Sequence, residues 1–315
     1  MHKEILIIAN FNDLKNRPDK LDYFFFEYLK NNSTYKIYLN EVDDNDNKSI
    51  LQNSNVIIII FSCFPDYLKK YKNIKIFWLY DLKCICSYKC NGLKSDCNFK
   101  HQLDYIRDNN FNYIWYKYKT YISNSLDKIF PNKCFKFPHT HFNNDLHKDY
   151  NLEKKYDILF YGAIYKTSYP FRYRMYHLLH KNKHKYNILF LPYTKKKPHK
   201  MITGIDLYKK INESWLTLAC CSVNNVLVSK YYEIGLCGSV VCGDYPELED
   251  ERFIMDNMVY IDITMSDDDI LNTIDTALKN KHELLKYSNN TKKYLSENYM
   301  YFNGLELFKK LLNNF

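Results

Sequence analysis

The chain has 315 residues, which is more than one average domain, so its length predicts two domains of roughly 150 residues each. Hydrophobic residues make up 46% of the chain and aromatic residues 17%, which excludes an intrinsically disordered protein. The net charge of +9 suits a polyanionic partner, but the lysines are scattered, and the one dense run, Lys195 to Lys197 with Lys200, falls in a predicted loop. This pattern favours a solvated basic surface and leaves nucleic acid or another anionic partner as the alternative.

The first half of the chain predicts one Rossmann-like domain over residues 1–148. Short apolar runs alternate with segments of helical length, a pattern typical of a parallel sheet with crossover helices. An amphipathic helix is predicted from Leu21 to Leu29. The predicted strands are Glu4 to Ala9, Tyr35 to Leu39, Val56 to Phe61, Ile74 to Tyr80 and Tyr113 to Tyr116.

A polar break between Phe137 and Lys155 predicts a linker, and a second alternating series follows over residues 154–298. Its predicted strands are Tyr156 to Tyr161, Tyr186 to Leu191, Trp215 to Cys220 and Ser239 to Cys242, and its helices are Arg172 to His180, Leu207 to Asn212, Lys230 to Leu236 and Asp267 to Leu278. A last helix, 301–315, carries apolar residues at helical spacing and is expected to pack back on the first domain. Two doubly wound α/β domains predict a ligand cleft between them, at the carboxyl ends of the strands.

Nothing in the hydropathy predicts a membrane segment, because the longest apolar run, Asn55 to Phe61, is far shorter than the about 20 residues that span a bilayer. We therefore expect a cytoplasmic protein whose ten cysteines are reduced. Oligomeric state is not predicted. A cluster of Cys84, Cys86, Cys90 and Cys97 is followed by His101. It could bind a structural zinc, form a local disulfide or remain as unligated thiols, and the spacing of the cysteines does not distinguish these alternatives.

The segment from Ser229 to Asp244 carries the most chemical information. Its helix places Lys230 and Glu233 one turn apart on one face, and Gly238 follows where a residue with positive φ caps the helix before a buried strand. The helix N-terminus offers unpaired backbone N–H groups and a positive dipole, both suited to phosphate. The alternative is an ordinary solvated pair on a helix surface.

These residues resemble the group 1 glycosyltransferases, in particular the branch related to spore-maturation glycosyltransferases. Lys230, Glu233 and Gly238 match the signature of a cation, two residues, glutamate and then glycine, and Asp244 to Glu249 (DYPELE) is similar to the family's D-Y-x-P-E-L run. Upstream, KYDILFYG at 155–162 and YPFR at 169–172 resemble the strand and phosphate loop that open the family's C-terminal domain. The resemblance covers residues 154–312 and implies the GT-B fold, with two Rossmann-like domains facing a central cleft.

The resemblance also implies roles for individual residues. Glu233 matches the carboxylate that accepts hydrogen bonds from the ribose hydroxyls, and Lys230 and Arg172 match cations that neutralise the diphosphate leaving group. Gly162 would allow close approach of the phosphates, with Lys166 on the same loop, and Tyr232 and Gly238 complete the predicted donor set. Arg172 as a solvated helix residue and Gly162 as a tight strand exit are the alternatives.

The implied reaction is transfer of a sugar from a UDP- or GDP-linked donor to a hydroxyl of a glycan, a protein or another acceptor. No cofactor or metal ion is expected in catalysis, because basic residues and helix dipoles take the place of the cation. Asn225 stands where many retaining members have a second glutamate, which leaves the stereochemistry open. Candidate general bases are Asp81, which follows a predicted strand, and the linker histidines His139 and His141. The alternative function is a non-catalytic nucleotide- or nucleic-acid-binding module of the same fold.

Overall fold

The computed structural model describes the chain except for residues 1–3, 17–20, 43–44, 62, 64, 80–102, 119–120, 194–201, 224, 248, 250–251 and 314–315. The chain divides into two compact units, one formed by residues 1–141 with 301–315 and the other by residues 142–300. Among the described residues, no helix combines the length and apolar character that crossing a membrane requires.

The first unit contains a six-stranded parallel sheet in the order β2-β1-β3-β4-β5-β6. Its strands are β1 (Glu4–Ala9), β2 (Lys36–Glu41), β3 (Val56–Phe61), β4 (Lys75–Leu79), β5 (Tyr113–Tyr116) and β6 (Cys134–Lys136). Its helices are α1 (Phe11–Asn16), α2 (Leu21–Asn32), α3 (Asp46–Ile50), a 3₁₀ turn (Asp66–Lys70), a helical stretch at 103–108, α4 (Tyr121–Ile129) and the C-terminal helix (Tyr301–Leu312).

The central strands of this unit are buried on both faces, which explains their unbroken apolar sequence. Along β1, Ile5 and Ile7 join one hydrophobic core, whereas Leu6 and Ile8 join the core on the other side of the sheet. The C-terminal helix packs on the first of these cores, where Phe308 meets Trp115 at 5.8 Å between ring centroids. The helix is therefore part of the first unit, although it lies last in the chain.

The second unit contains a five-stranded parallel sheet in the order β11-β10-β9-β7-β8. Its strands are β7 (Tyr156–Ala163), β8 (Ile188–Tyr193), β9 (Ser214–Ala219), β10 (Val240–Gly243) and β11 (Val259–Tyr260). Its helices are α5 (Pro170–Lys181), α6 (Gly204–Asn212), α7 (Ser229–Leu236), α8 (Arg252–Asp256), α9 (Asp267–Lys279) and α10 (Lys281–Asn298). The predicted fold class, two parallel-sheet α/β domains, is confirmed.

The segment predicted as a linker is more tightly packed than its polar sequence indicates. His139 and His141 are 2% and 3% exposed, and Phe142 is fully buried. Phe142 lies in the second unit, where it stacks on Tyr232 with ring centroids 5.6 Å apart. The residues on either side of the boundary between the two units are therefore buried.

Candidate functional site

The candidate site lies in the second unit, at the carboxyl edge of its sheet. Gly162 is near the end of β7 and adopts φ +98°, a conformation that side chains rarely tolerate. A Cβ atom at this position would lie 2.9 Å from Lys230 Nζ and 3.5 Å from an Arg172 guanidinium nitrogen. Glycine is therefore needed here both for its backbone conformation and for the space that the two cations occupy.

Lys230 reaches this point from the first turn of α7. It is 8% exposed, its ammonium donates to the carbonyl oxygen of Tyr161 at 2.6 Å, and it lies 3.6 Å above the centroid of the Tyr161 ring. Burial lowers the pKa of Lys230 well below its usual value, and the positive charge of Arg172 lowers it further. The predicted alternative of a solvated surface lysine is wrong.

Arg172 reaches the same point from the first turn of α5 and is 4% exposed. Its guanidinium donates to the carbonyl oxygen of Cys220 at 3.2 Å and lies 3.9 Å from the centroid of the Tyr169 ring. Within the described part of the chain, its Nε atom has no hydrogen-bond partner. The alternative of a solvated helix residue is wrong here as well.

Neither buried cation forms an ion pair with a carboxylate of the described residues; their contacts are with carbonyl oxygens and aromatic rings. The charge of Glu233 acts on Lys230 but forms no ion pair with it. Two desolvated positive charges without a paired anion are costly, because buried charges in proteins are normally paired. The arrangement is suited to binding an anion with at least two negative charges, as a diphosphate has.

Glu233 lies one turn after Lys230 on α7 and is 8% exposed. Its Oε2 accepts a hydrogen bond from the hydroxyl of Tyr161 at 3.2 Å. Burial raises the pKa of Tyr161 well above its usual value, and the Glu233 charge adds to this shift, so the phenol keeps its proton. Sequence reasoning missed Tyr161, because an aromatic residue near the end of a buried strand carries no chemical signal of its own.

Asp244 connects two elements that border the site. It follows β10, and its carboxylate accepts from the backbone N–H of Cys221 at 2.7 Å and from the hydroxyl of Tyr231 at 3.1 Å. Burial raises the pKa of Asp244 above its ordinary value, against the effect of these hydrogen bonds. Tyr231 lies on α7 and Cys221 in the loop that follows β9, so Asp244 holds this helix to that loop.

The remaining predicted donor-site residues lie apart from this convergence. Lys166 is exposed on the turn after β7. Tyr232 is 2% exposed, and its ring packs against Phe142 and Tyr299. Gly238 has φ +76° and caps α7, and a Cβ there would lie 3.1 Å from side-chain atoms of both Asn212 and Asp149 rather than near the cations.

The candidate bases are in the first unit or outside the described residues. Asp81 lies in the undescribed stretch 80–102. Two other features of the sequence also fall outside the described residues: the cluster of Cys84, Cys86, Cys90 and Cys97 in the same stretch, and Lys195 to Lys197 with Lys200 in the stretch 194–201. His139 and His141 face each other, with Nδ1 of the former 3.4 Å from Nε2 of the latter. His141 Nδ1 is 3.6 Å from the Asp22 carboxylate, which also pairs with Lys117 at 3.2 Å.

The chain matches known proteins in structure but not in sequence. No family model matches the chain, and no curated protein matches it. Among solved structures, sucrose-phosphate synthase from Thermosynechococcus elongatus is similar with a TM-score of 0.66 at 9% identity, and the match covers 99% of both chains. The chain therefore has the GT-B fold.

Two further matches have the same fold over nearly their full lengths. HepE from Anabaena, solved in complex with UDP, matches with a TM-score of 0.62 at 9% identity over 99% of this chain and 100% of its own. T4 phage BGT, solved with its UDP-glucose substrate, matches with a TM-score of 0.54 at 14% identity over 98% of both chains. At such identities the likeness establishes the fold, and the function has to be argued from the site.

Proposed function

We propose that the protein is a glycosyltransferase that transfers a sugar from a UDP- or GDP-linked donor to a hydroxyl acceptor, a glycan or a protein. One observation carries the proposal: Lys230 and Arg172, both buried and without a carboxylate partner among the described residues, converge on Gly162. A nucleoside diphosphate supplies the missing anion. HepE and BGT, which share the fold, were solved with UDP or UDP-glucose, and this supports the assignment.

In this proposal the two cations act on the leaving group. Charge builds up on the diphosphate as the glycosidic bond to it breaks, and fixed positive groups in a site of low dielectric stabilise that charge. Lys230 acts from beside Gly162, where the missing side chain leaves room for its ammonium, and Arg172 acts from α5. The cations make a metal ion unnecessary for this step, so turnover should persist in EDTA.

Glu233 is assigned to the ribose, because a buried carboxylate accepts hydrogen bonds from two neighbouring hydroxyls. We assign donor binding to the second unit, residues 142–300, and the acceptor to the first. His139 and His141 remain candidates for the general base, together with Asp81.

The test compares two glycine variants that differ in what surrounds them. Gly162 and Gly204 both have positive φ, but a Cβ on Gly204 meets nothing within 4 Å, whereas one on Gly162 meets Lys230. Gly162→Ala should weaken binding of UDP or GDP by about tenfold or more, because the charge-assisted contacts of Lys230 are displaced. Gly204→Ala should leave the affinity unchanged and report only the backbone strain. Calorimetric titration measures both.

Turnover is measured separately, as release of UDP or GDP from UDP-glucose, UDP-N-acetylglucosamine and GDP-mannose, with and without EDTA. A glycosyltransferase is supported if the unaltered protein binds UDP or GDP, if Gly162→Ala weakens this binding as expected, and if the unaltered protein hydrolyses or transfers the sugar of a donor. Binding without turnover of any donor would favour the non-catalytic nucleotide-binding module. Absence of binding by the unaltered protein to every nucleotide would refute the site itself.

A further inference from the structure

One residue contacts both Lys230 and Glu233 in the candidate site. Tyr161 donates its hydroxyl to Glu233 at 3.2 Å, its ring lies under the Lys230 ammonium at 3.6 Å, and its carbonyl oxygen accepts from the same ammonium at 2.6 Å. Tyr161 is on β7, a strand with hydrogen-bonded neighbours on both sides, and is 8% exposed. The lysine and the glutamate are both carried by α7, so Tyr161 connects that helix to the sheet at two points.

We propose that Tyr161 is a positioning residue that orients the Glu233 carboxylate for the ribose hydroxyls, an inference that rests on the proposed donor site. A glutamate side chain has three rotatable bonds, and an unrestrained carboxylate loses conformational freedom when it binds a ligand. A hydrogen bond from a ring held by packing fixes the carboxylate before the ribose arrives. Affinity is gained because less ordering remains to be done on binding.

The contacts of the Tyr161 ring make its hydroxyl a rigid donor. The ammonium above the ring face is attracted to the π-electrons, and the adjacent carbonyl oxygen holds the same ammonium from a second direction. Burial keeps the phenol protonated, so it remains a donor to the carboxylate throughout the neutral pH range. Removing the hydroxyl alone should therefore leave Lys230 in place and affect only Glu233.

The experiment measures preference for the ribose hydroxyls rather than affinity alone. We would titrate UDP and 2′,3′-dideoxy-UDP, and the corresponding guanosine pair, into the unaltered protein, Tyr161→Phe, Glu233→Gln and the double variant. Tyr161→Phe should reduce the preference for the ribonucleotide roughly fivefold, the value of one net hydrogen bond. In the Glu233→Gln background the same change should have no further effect on the preference.

Tyr156→Phe is the matched control, because Tyr156 begins the same strand and its hydroxyl makes no hydrogen bond to the described residues. It should leave the preference unchanged. An equal loss of both nucleotides in Tyr161→Phe would mean a merely structural role and would overturn the inference. An unchanged preference in Tyr161→Phe, with a lost preference in Glu233→Gln, would also overturn it but leave the proposed function standing. If the unaltered protein binds no nucleotide, both fail.

Discussion

Both units of this protein bury charged side chains, but the partners of these charges differ between the units. In the first unit, Lys117 is 2% exposed at its side chain and pairs with Asp22 at 3.2 Å, and His141 lies 3.6 Å from the same carboxylate. In the second unit, Lys230 and Arg172 are also buried and have carbonyl oxygens and rings as partners instead of an ion-paired carboxylate.

Under the proposed function, the difference separates charge that serves the fold from charge that serves a ligand. A buried ion pair carries its own compensation, so removing one member leaves the other uncompensated. The two buried cations form no ion pair with a carboxylate of the described residues, and the more distant charge of Glu233 compensates Lys230 only in part, so much of the cost of burying them remains to be offset when an anion binds. The second arrangement is therefore evidence of function in a way that the first is not.

The largest effect is expected when the paired charges of the first unit are separated. Asp22→Asn should lower the free energy of unfolding of that unit by about 3–5 kcal/mol, because the buried Lys117 ammonium loses its ion pair with this carboxylate. Trp78 and Trp115 lie in the first unit and Trp215 in the second, so tryptophan fluorescence during denaturant unfolding of a Trp215→Phe background reports the first unit alone.

The double variant Asp22→Asn, Lys117→Met serves as the control for this measurement. It removes both charges and should recover much of the lost stability, since the ammonium that would lose its ion pair is removed as well. A loss below about 1 kcal/mol in the single variant, a value typical of exposed ion pairs, would contradict the reading of this cluster as a structural ion pair.

In the second unit, removal of a buried charge is expected to raise the free energy of unfolding instead of lowering it. Lys230→Met should raise the free energy of unfolding by about 1–3 kcal/mol, because it removes a buried ammonium and its repulsion by Arg172, while binding of UDP or GDP is lost. Hydrogen exchange of the β7 and β9 amides measures the stability of this unit. Lys183→Met, a change at an exposed lysine of the same unit, should alter neither property.

The pH dependence follows from the lowered pKa of Lys230. The pKa of this lysine is lower in the folded state than in the unfolded state, so between the two values the unfolded chain holds more protons and stability rises with pH. Lys230→Met should remove this rise. Nucleotide binding should raise the lysine pKa, so affinity should fall as pH increases through the pKa of the free site. A stability that falls with pH in this window would contradict the assignment.

The sequence predicted the fold well because the apolar strands are buried on both faces and stand out as short runs between longer segments. The sequence pattern did not predict α10, because the buried face of that helix includes Ser288 and Thr291 beside Leu284 and Leu295, and hydroxyl side chains do not contribute to an apolar periodicity. Gly235 of α7 packs against this face, where a Cβ would lie 2.4 Å from the Thr291 methyl carbon.

The residue types of the proposed site could be chosen from the sequence, but the burial and charge environment of these residues could not. Lys230 and Glu233 three residues apart are typical of a solvated helix surface, and only the packing of α7 against the sheet shows that both are buried. Tyr161 could not be found from sequence, because its importance depends on the direction in which a strand residue points. Hydrophobic periodicity locates elements, whereas pairing and desolvation of charges depend on contacts between residues far apart in the chain.

The smallest effect is expected at Lys166, the predicted phosphate-loop lysine. It carries the same charge as Lys230, but it is exposed, and water and salt screen its interaction with a bound diphosphate. Lys166→Ala should therefore change the affinity for UDP or GDP by less than about twofold at physiological ionic strength. Titration at low and high salt separates the two lysines, because a screened charge loses its remaining effect in salt and a buried one keeps it. A tenfold loss in Lys166→Ala that persists in high salt would mean that this turn closes over the donor, and the contrast between buried and exposed cations would no longer define the site.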